Sequence, residues 1–178
     1  MSQGKELLRK RWDSLQMVPV GLAGAELARW KRGRGYELER LLIDLARLEK
    51  LDAEPSYRGD GEQVDGYFSV DHRHFLLEAK WRGSPVTASE VFAFQGKLRG
   101  KLLGTLGLFV SISGFSADAP SALVFGKELD VLLADRGDIQ LALDASRAFH
   151  EMVRVKMRAA AQRGDVYYKY QRWLDANP

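Results

Sequence analysis

The 178-residue chain contains no cysteine. That excludes disulfides, thiolate zinc sites and cysteine nucleophiles, and it fits an expectation of a cytoplasmic protein. Long apolar runs are also missing. No stretch approaches the ~18 residues that a membrane helix needs, so no membrane partner is expected. Met1-Ser2-Gln3-Gly4-Lys5 leads directly into an amphipathic segment, without the apolar block of a secretion signal. Histidine is scarce, at three residues. His72 and His74 flank an expected turn, where solvated side chains are the rule, and His150 has no evident partner. Ser111 and Ser113 lack the histidine and acid of a hydrolase triad. The glycine-rich Arg58-Gly-Asp-Gly-Glu-Gln segment has no Walker lysine and no following helix. There is no internal repeat and no low-complexity stretch.

What is present is an ordinary globular balance, 46% apolar and 29% charged, of a size that fits one domain over 1–178. The net charge of +3 is unevenly placed. Residues 1–40 hold nine Lys/Arg against five Asp/Glu, 41–146 hold eleven against sixteen, and 147–172 hold seven against two. An acidic middle between basic ends suits a protein that grips a polyanion and holds cations at its site. Solvated basic helices would leave the same pattern, and charge alone does not separate the two readings.

Apolar spacing predicts a helix over 3–17, with Leu7, Leu8, Trp12 and Leu15 on its inner side. Pro and Gly then break the chain at Val18–Gly21. A short helix is expected over 24–32, ending at Gly33-Arg34-Gly35. A stronger one spans Tyr36 to Lys50, with Leu38, Leu41, Leu42, Leu45 and Leu48 as its buried stripe. Three strands follow, at Ala53–Arg58, Gln63–Val70 and His74–Trp81. Next comes a helix from about Thr87 to Leu103, with Thr87 or Ser89 as cap and Val91, Phe94, Leu98 and Leu102 as core stripe. Gly96, Gly100 and Gly104 recur at intervals of four, as for close backbone approach. Leu106–Ser113, apolar at nearly every position, reads as a buried parallel strand. Beyond it, Ala122–Phe125 reads as a short strand, Lys127–Ala134 as helix, and 139–163 as one long helix. The order α-β-β-β-α-β implies an α/β protein, a mixed sheet flanked by helices.

The second and third strands form a hairpin. With the turn centred between Asp71 and His72, Asp65 faces Glu78, Tyr67 faces Leu76 and Ser69 faces His74. The opposite face pairs Val64 with Ala79, Gly66 with Leu77 and Phe68 with Phe75, all apolar or small, and is the expected core side. A one-residue slip would bury the carboxylates, so the pattern fixes the register. Asp65, Glu78 and, two residues on, Lys80 then share a face. Opposed carboxylates repel unless a cation lies between them. Hard oxygen ligands suit Mg²⁺ or Mn²⁺, and such sites also bind phosphate. Two readings stand on spacing alone: a phosphodiester hydrolysis site, or an exposed salt-bridge cluster.

Gln-Val-Asp65-Gly-Tyr-Phe followed by Leu-Leu-Glu78-Ala-Lys80-Trp resembles the PD-(D/E)XK signature of the restriction-endonuclease-like superfamily. Val64 stands where the signature has proline. Gly35-Tyr-Glu-Leu-Glu39 resembles the opening of the first core helix in Mrr-like endonucleases. Gly107-Leu-Phe-Val-Ser-Ile-Ser-Gly-Phe-Ser resembles the strand and turn after their second core helix. The resemblance covers about 35–118, leaving N-terminal helices over 1–34 and a C-terminal helical extension over 119–178. It implies the restriction-endonuclease-like fold and a Mg²⁺- or Mn²⁺-dependent DNA endonuclease, in restriction or phage defence. Asp65 and Glu78 would be metal ligands, with the Ala79 carbonyl a third and Glu39 an outer or second-metal ligand. Lys80 would orient or activate the attacking water, and Gln95 is a further candidate facing the site. Trp30-Lys-Arg-Gly-Arg34, Trp81-Arg82 and the Lys97, Arg99, Lys101 cluster are candidate phosphate contacts. Of these, Arg34, Trp81, Arg82, Lys97 and Lys101 are the residues expected on nucleic acid. The tail Val166-Tyr-Tyr-Lys-Tyr-Gln-Arg-Trp173 reads either as a nucleic-acid stack or as an edge strand or docking segment. A homodimer, a partner subunit, or a non-cutting binding or regulatory module of the same fold are the alternative forms of this function.

Overall fold

The computed structural model describes residues 3–59, 62–124 and 128–177. Parts of three expectations fall outside them: residues 60–61 of the glycine-rich loop, Phe125 of the expected strand and Lys127 of the expected helix. Two helices, α1 (Gln3–Gln16) and α2 (Gly24–Leu48), precede the strands β1 (Ala53–Gly59), β2 (Glu62–Val70) and β3 (Arg73–Lys80). Helix α3 (Ala88–Arg99) leads to β4 (Leu106–Ser111), α4 (Ala119–Val124), β5 (Val131–Asp135), α5 (Arg136–Ala142), α6 (Phe149–Arg163) and α7 (Tyr170–Ala176). The sheet runs β1-β2-β3-β4-β5. Its first three strands are antiparallel, and β3, β4 and β5 are parallel. The expected α-β-β-β-α-β core is therefore α2 through β4. No helix among the described residues is long and apolar enough to cross a membrane.

Alternation along the strands feeds two cores. Phe68, Phe75, Leu77, Ala79, Leu108, Val110, Leu132 and Ala134 pack with α1, α2, α6 and α7. Leu76, Phe109, Val131 and Leu133 pack on the other side with Val91, Phe94 and Leu98 of α3. The sheet is thus sandwiched, and the face that bears the carboxylates is not a solvent face. The hairpin turn has Asp71 and His72 at φ of 50° and 61°, as a two-residue turn of the right twist requires. Asp71 is also tied to Arg154 of α6 at 2.7 Å.

Several expectations are corrected. Gly33 and Gly35 do not end a helix. Helix α2 runs unbroken through both, because the buried stripe Leu38, Leu41, Leu42 and Leu45 holds it against the sheet; Leu48, at its end, is exposed. Leu7 and Leu102 are exposed too. Residues 122–124 belong to helix α4, and 131–134 belong to a fifth strand instead of a helix. Residues 139–163 form α5 and α6, separated at 143–148, and not one helix. The N-terminus of α6 is capped by Glu49, whose carboxylate accepts from the Phe149 and His150 N–H groups at 2.7 and 3.0 Å. Its contact with His150 Nδ1 gives that histidine a partner. The tail docks on the molecule: the Val166 carbonyl accepts from Leu133 of β5 at 2.9 Å, and Tyr170 is fully buried.

Close approach occurs at other glycines than those of the four-residue interval. A Cβ on Gly96 would meet nothing within 4 Å. One on Gly107 would sit 2.5 Å from the Phe94 ring, and one on Gly66 would sit 2.7 Å from Ile43 of α2. Gly107→Ala is therefore expected to destabilise the protein by about 1–3 kcal/mol through overpacking. Gly96→Ala, in an exposed helical position, should add about 0.5–1 kcal/mol. Urea unfolding of the two variants checks this; equal stabilities would contradict it.

Candidate active site

The β2–β3 ladder matches the expected register from Val70↔Arg73 to Gly66↔Leu77. There it ends, one step short of Asp65 and Glu78. In place of a main-chain rung, Asp65 Oδ2 accepts the Ala79 N–H at 3.0 Å. The strands part at this step, and the alternation breaks with them. Val64 packs with Leu76 and Phe109 and not with Phe68, as the unbroken register had implied. Asp65 is thereby turned into the gap between the strands.

Asp65 is 5% exposed and Glu78 6%, which removes the reading as an exposed salt-bridge cluster. Two lysines hold Glu78. Lys80 Nζ lies 2.6 Å from one carboxylate oxygen and 4.0 Å from Asp65. Lys97 of α3 donates to the other at 2.8 Å and to the Gln63 carbonyl at 2.9 Å. Glu39 of α2, 9% exposed, shares a hollow with Ala79 and Lys80 and feels the charges of Asp65 and Glu78. Burial, then the negative charge of Asp65, pushes its carboxyl up to about 7, with Lys80 partly opposing. Burial and the charge of Glu78 push Asp65 up as well, against its bond to Ala79 and the charge of Lys80. Burial works against the charge on Lys80, but the pull of Glu78, Asp65 and Glu39 outweighs it and leaves the ammonium above its ordinary value. The centre is thus short of positive charge even with two lysines turned into it.

The remaining sequence candidates divide. Lys97, expected on nucleic acid, turns inward to Glu78. Gln95, expected to face the site, donates to Asp130 at 2.7 Å and to the Glu128 carbonyl, ahead of β5. Arg82 grips Glu90 in a two-pronged pair at the start of α3. Thr87 caps that helix, and Glu90 completes the capping box. Trp81 is buried, its ring 5.4 Å from Trp12. Arg34 stacks over Trp30 and Trp81 at 4.6 and 4.8 Å. Burial, with Arg136 nearby, lowers its affinity for a proton. Lys101 follows α3, its N–H closing on Leu98. His74 meets the Tyr67 hydroxyl at 2.8 Å, away from the carboxylates.

What the sequence reading missed is the surface above Glu39. A hollow of about 390 Å³ is lined by Lys31, Arg32, Gly35, Tyr36, Glu39 and Ala79 to Arg82. Arg32, Gly35, Tyr36 and Glu39 follow the i, i+3, i+4, i+7 rule of one helix face. The signal was there, but a helix boundary placed at Gly33–Gly35 destroys its phase. The larger hollow, of about 720 Å³, lies at the β4 and β5 ends beside Arg9, Asp135 and Lys169, away from the carboxylates.

A family model described as restriction endonuclease, Mrr_cat, matches residues 31–142. No curated protein shows a significant match. Among solved structures, the chain is similar to the DNA modification-dependent restriction endonuclease AspBHI, at 19% identity and a TM-score of 0.48 over 90% of this chain and 40% of that one. It is similar to Can2 from Sulfobacillus thermosulfidooxidans in complex with cyclic tetra-adenylate, at 13% identity and 0.49 over 86% and 52%. It is also similar to the MspJI restriction endonuclease in complex with a 27-mer oligonucleotide, at 16% identity and 0.45 over 89% and 36%. The chain spans about half or less of the length of these three proteins.

A carboxyl whose folded value is raised stabilises the protein below its unfolded value, and that contribution is lost as pH rises through the folded one. For Glu39 the loss runs from its ordinary value of 4.5 up to about 7 and is complete just above that, and Asp65 acts in the same direction. In chelator, the unfolding temperature should fall from about pH 5 to about pH 8. Glu39→Gln should flatten that fall, as read by calorimetry. A wild-type midpoint that climbs across this range would contradict the raised value.

Proposed function

The chain belongs to the Mrr_cat restriction endonuclease family, and from that premise we propose that it is a metal-dependent nuclease hydrolysing DNA phosphodiester bonds. The observation that supports this most strongly is the convergence of Asp65, Glu78 and Lys80 at the parted ends of β2 and β3, with Glu39 above them. The donor set is all oxygen, which suits Mg²⁺ or Mn²⁺. Asp65, Glu78 and the Ala79 carbonyl would hold the ion, with Glu39 as outer ligand. The raised carboxyls express a shortage of positive charge that a divalent cation relieves. Among the described residues no three acidic or histidine side chains are gathered for a metal, and both Glu78 oxygens are held, by Lys80 and by Lys97, so ion entry requires one of the two lysines to give up its oxygen.

When bound, the ion supplies charge to the phosphoryl oxygen and lowers the pKa of water. The residues do the rest. Lys80, 2.6 Å from Glu78, orients the attacking water and steadies its negative charge. Asp65, fixed by the Ala79 N–H, keeps the gap between the strands at one geometry. With DNA as substrate we place the protein in the cytoplasm.

A second reading is a DNA-binding module that does not cut, alone or as a subunit beside a second copy or another chain. The two lysines that neutralise Glu78 without metal favour it. Plasmid and linear DNA incubated with Mg²⁺ or Mn²⁺ decide between them. Cleavage by the wild type should fall by about 10²–10⁴-fold in Asp65→Ala and in Lys80→Ala. Cutting that survives both substitutions contradicts the assignment, and absence of wild-type cutting together with absence of Mn²⁺ binding supports the second reading.

A further inference from the structure

Tyr36 and Tyr57 are 52% and 41% exposed, in a protein that buries Trp12, Tyr170 and most of its phenylalanines. Both tyrosines line a hollow of about 300 Å³ with Ser56 and Gln63. Tyr36 also lines the hollow above Glu39 and Lys80, so the two spaces adjoin at its ring. The second hollow is tied to the carboxylates as well. In the β1–β2 register, Pro55↔Gly66 and Tyr57↔Val64 put Ser56 opposite Asp65. The Gln63 carbonyl accepts from Lys97, which also holds Glu78.

At the other end stand Lys31 and Arg32. Arg34, Arg82 and Lys97 are committed to tryptophan rings, Glu90 and Glu78. Among the described residues Lys31 and Arg32 have no carboxylate partner, and both are exposed. Two available cations, then Tyr36, then Glu39 thus follow one another along one face of α2, with Tyr57 of β1 across the second hollow from the Tyr36 ring.

We propose, resting on the nuclease reading above, that this track takes a single, unpaired strand of nucleic acid. Its phosphates meet Lys31 and Arg32, its bases stack on Tyr36 and Tyr57, and the phosphodiester beside the Tyr36 ring lies over Glu39, Asp65 and Lys80. A duplex offers phosphates but keeps its base faces covered by neighbouring bases. Open aromatic faces beside a basic rim match bases that are already unstacked. The substrate is therefore single-stranded, or a duplex opened at the point of cutting.

Fluorescence anisotropy with a labelled 12-nucleotide strand, as DNA, as RNA and as duplex DNA, tests this in chelator, where nothing is cut. The single strands should bind tighter than the duplex. Tyr36→Ala and Tyr57→Ala should each weaken single-strand binding about tenfold, while Tyr36→Phe, which keeps the ring, should bind like the wild type. Lys31→Gln and Arg32→Gln should each reduce the salt slope by about 0.7. A preference for duplex, no single-strand binding, or alanine variants equal to the wild type overturns the proposal. The outcomes also separate it from the nuclease reading. Metal-dependent cutting that needs Asp65, with tyrosine-independent binding, overturns only the strand path. Tyrosine-dependent binding by a protein that neither cuts nor binds Mn²⁺ overturns only the nuclease.

Discussion

Two carboxylates withdrawn from water at the parting of two strands set the terms for the rest of this molecule. Burying an ionised carboxylate is costly unless cations or hydrogen-bond donors meet it. Here Asp65 takes a main-chain N–H, and Glu78 takes an ammonium on each oxygen. The elements around them supply those partners. Strand β3 brings Lys80, α3 brings Lys97, and the sandwiched sheet fixes how closely the helices approach. Glu39 adds a third acid to a place already rich in negative charge, and its raised carboxyl records its burial first and the repulsion of Asp65 second. A fold seeking stability alone has no use for such a cluster, since well-packed apolar side chains serve as well. Its presence is understandable under the proposed function, in which the site takes a cation and a phosphodiester.

The hairpin was legible in the sequence because its alternation allows one register. Val64 was the exception, and the reason is local: once the ladder stops at Gly66↔Leu77, nothing enforces the two-residue period. Helix α2 was legible as a stripe of leucines but not in its length. Gly33 and Gly35 read as a break, and only packing against the sheet overrides their low propensity. The error had a consequence for the site, because it separated Lys31 and Arg32 from Tyr36 and Glu39, which share their hollow. Past β4 the local signals failed differently. Val131 to Ala134 is a short apolar run whose strand character comes from its pairing with β4, a contact invisible in the run itself.

Lys97 shows how a charged helix residue is misread when the third dimension is missing. Beside Arg99 and Lys101 it looks like part of a basic surface cluster. In the fold it bridges Glu78 and the Gln63 carbonyl, linking α3 to both strands of the site. Gln95, two positions earlier, reads as a polar residue facing the carboxylates and is instead bonded to Asp130 and Glu128. The two residues lie on different sides of α3. Without the orientation of that helix over the sheet, nothing in the sequence tells them apart.

The central claim is that the Asp65–Glu78 gap is a cation site held ready by lysines. Crystals grown with Mn²⁺ and measured at a wavelength where manganese scatters anomalously test it most directly. The account predicts an anomalous peak between Asp65 and Glu78, with Lys97 or Lys80 withdrawn from its carboxylate oxygen. No peak there at millimolar Mn²⁺, with both lysines still on Glu78, would contradict it.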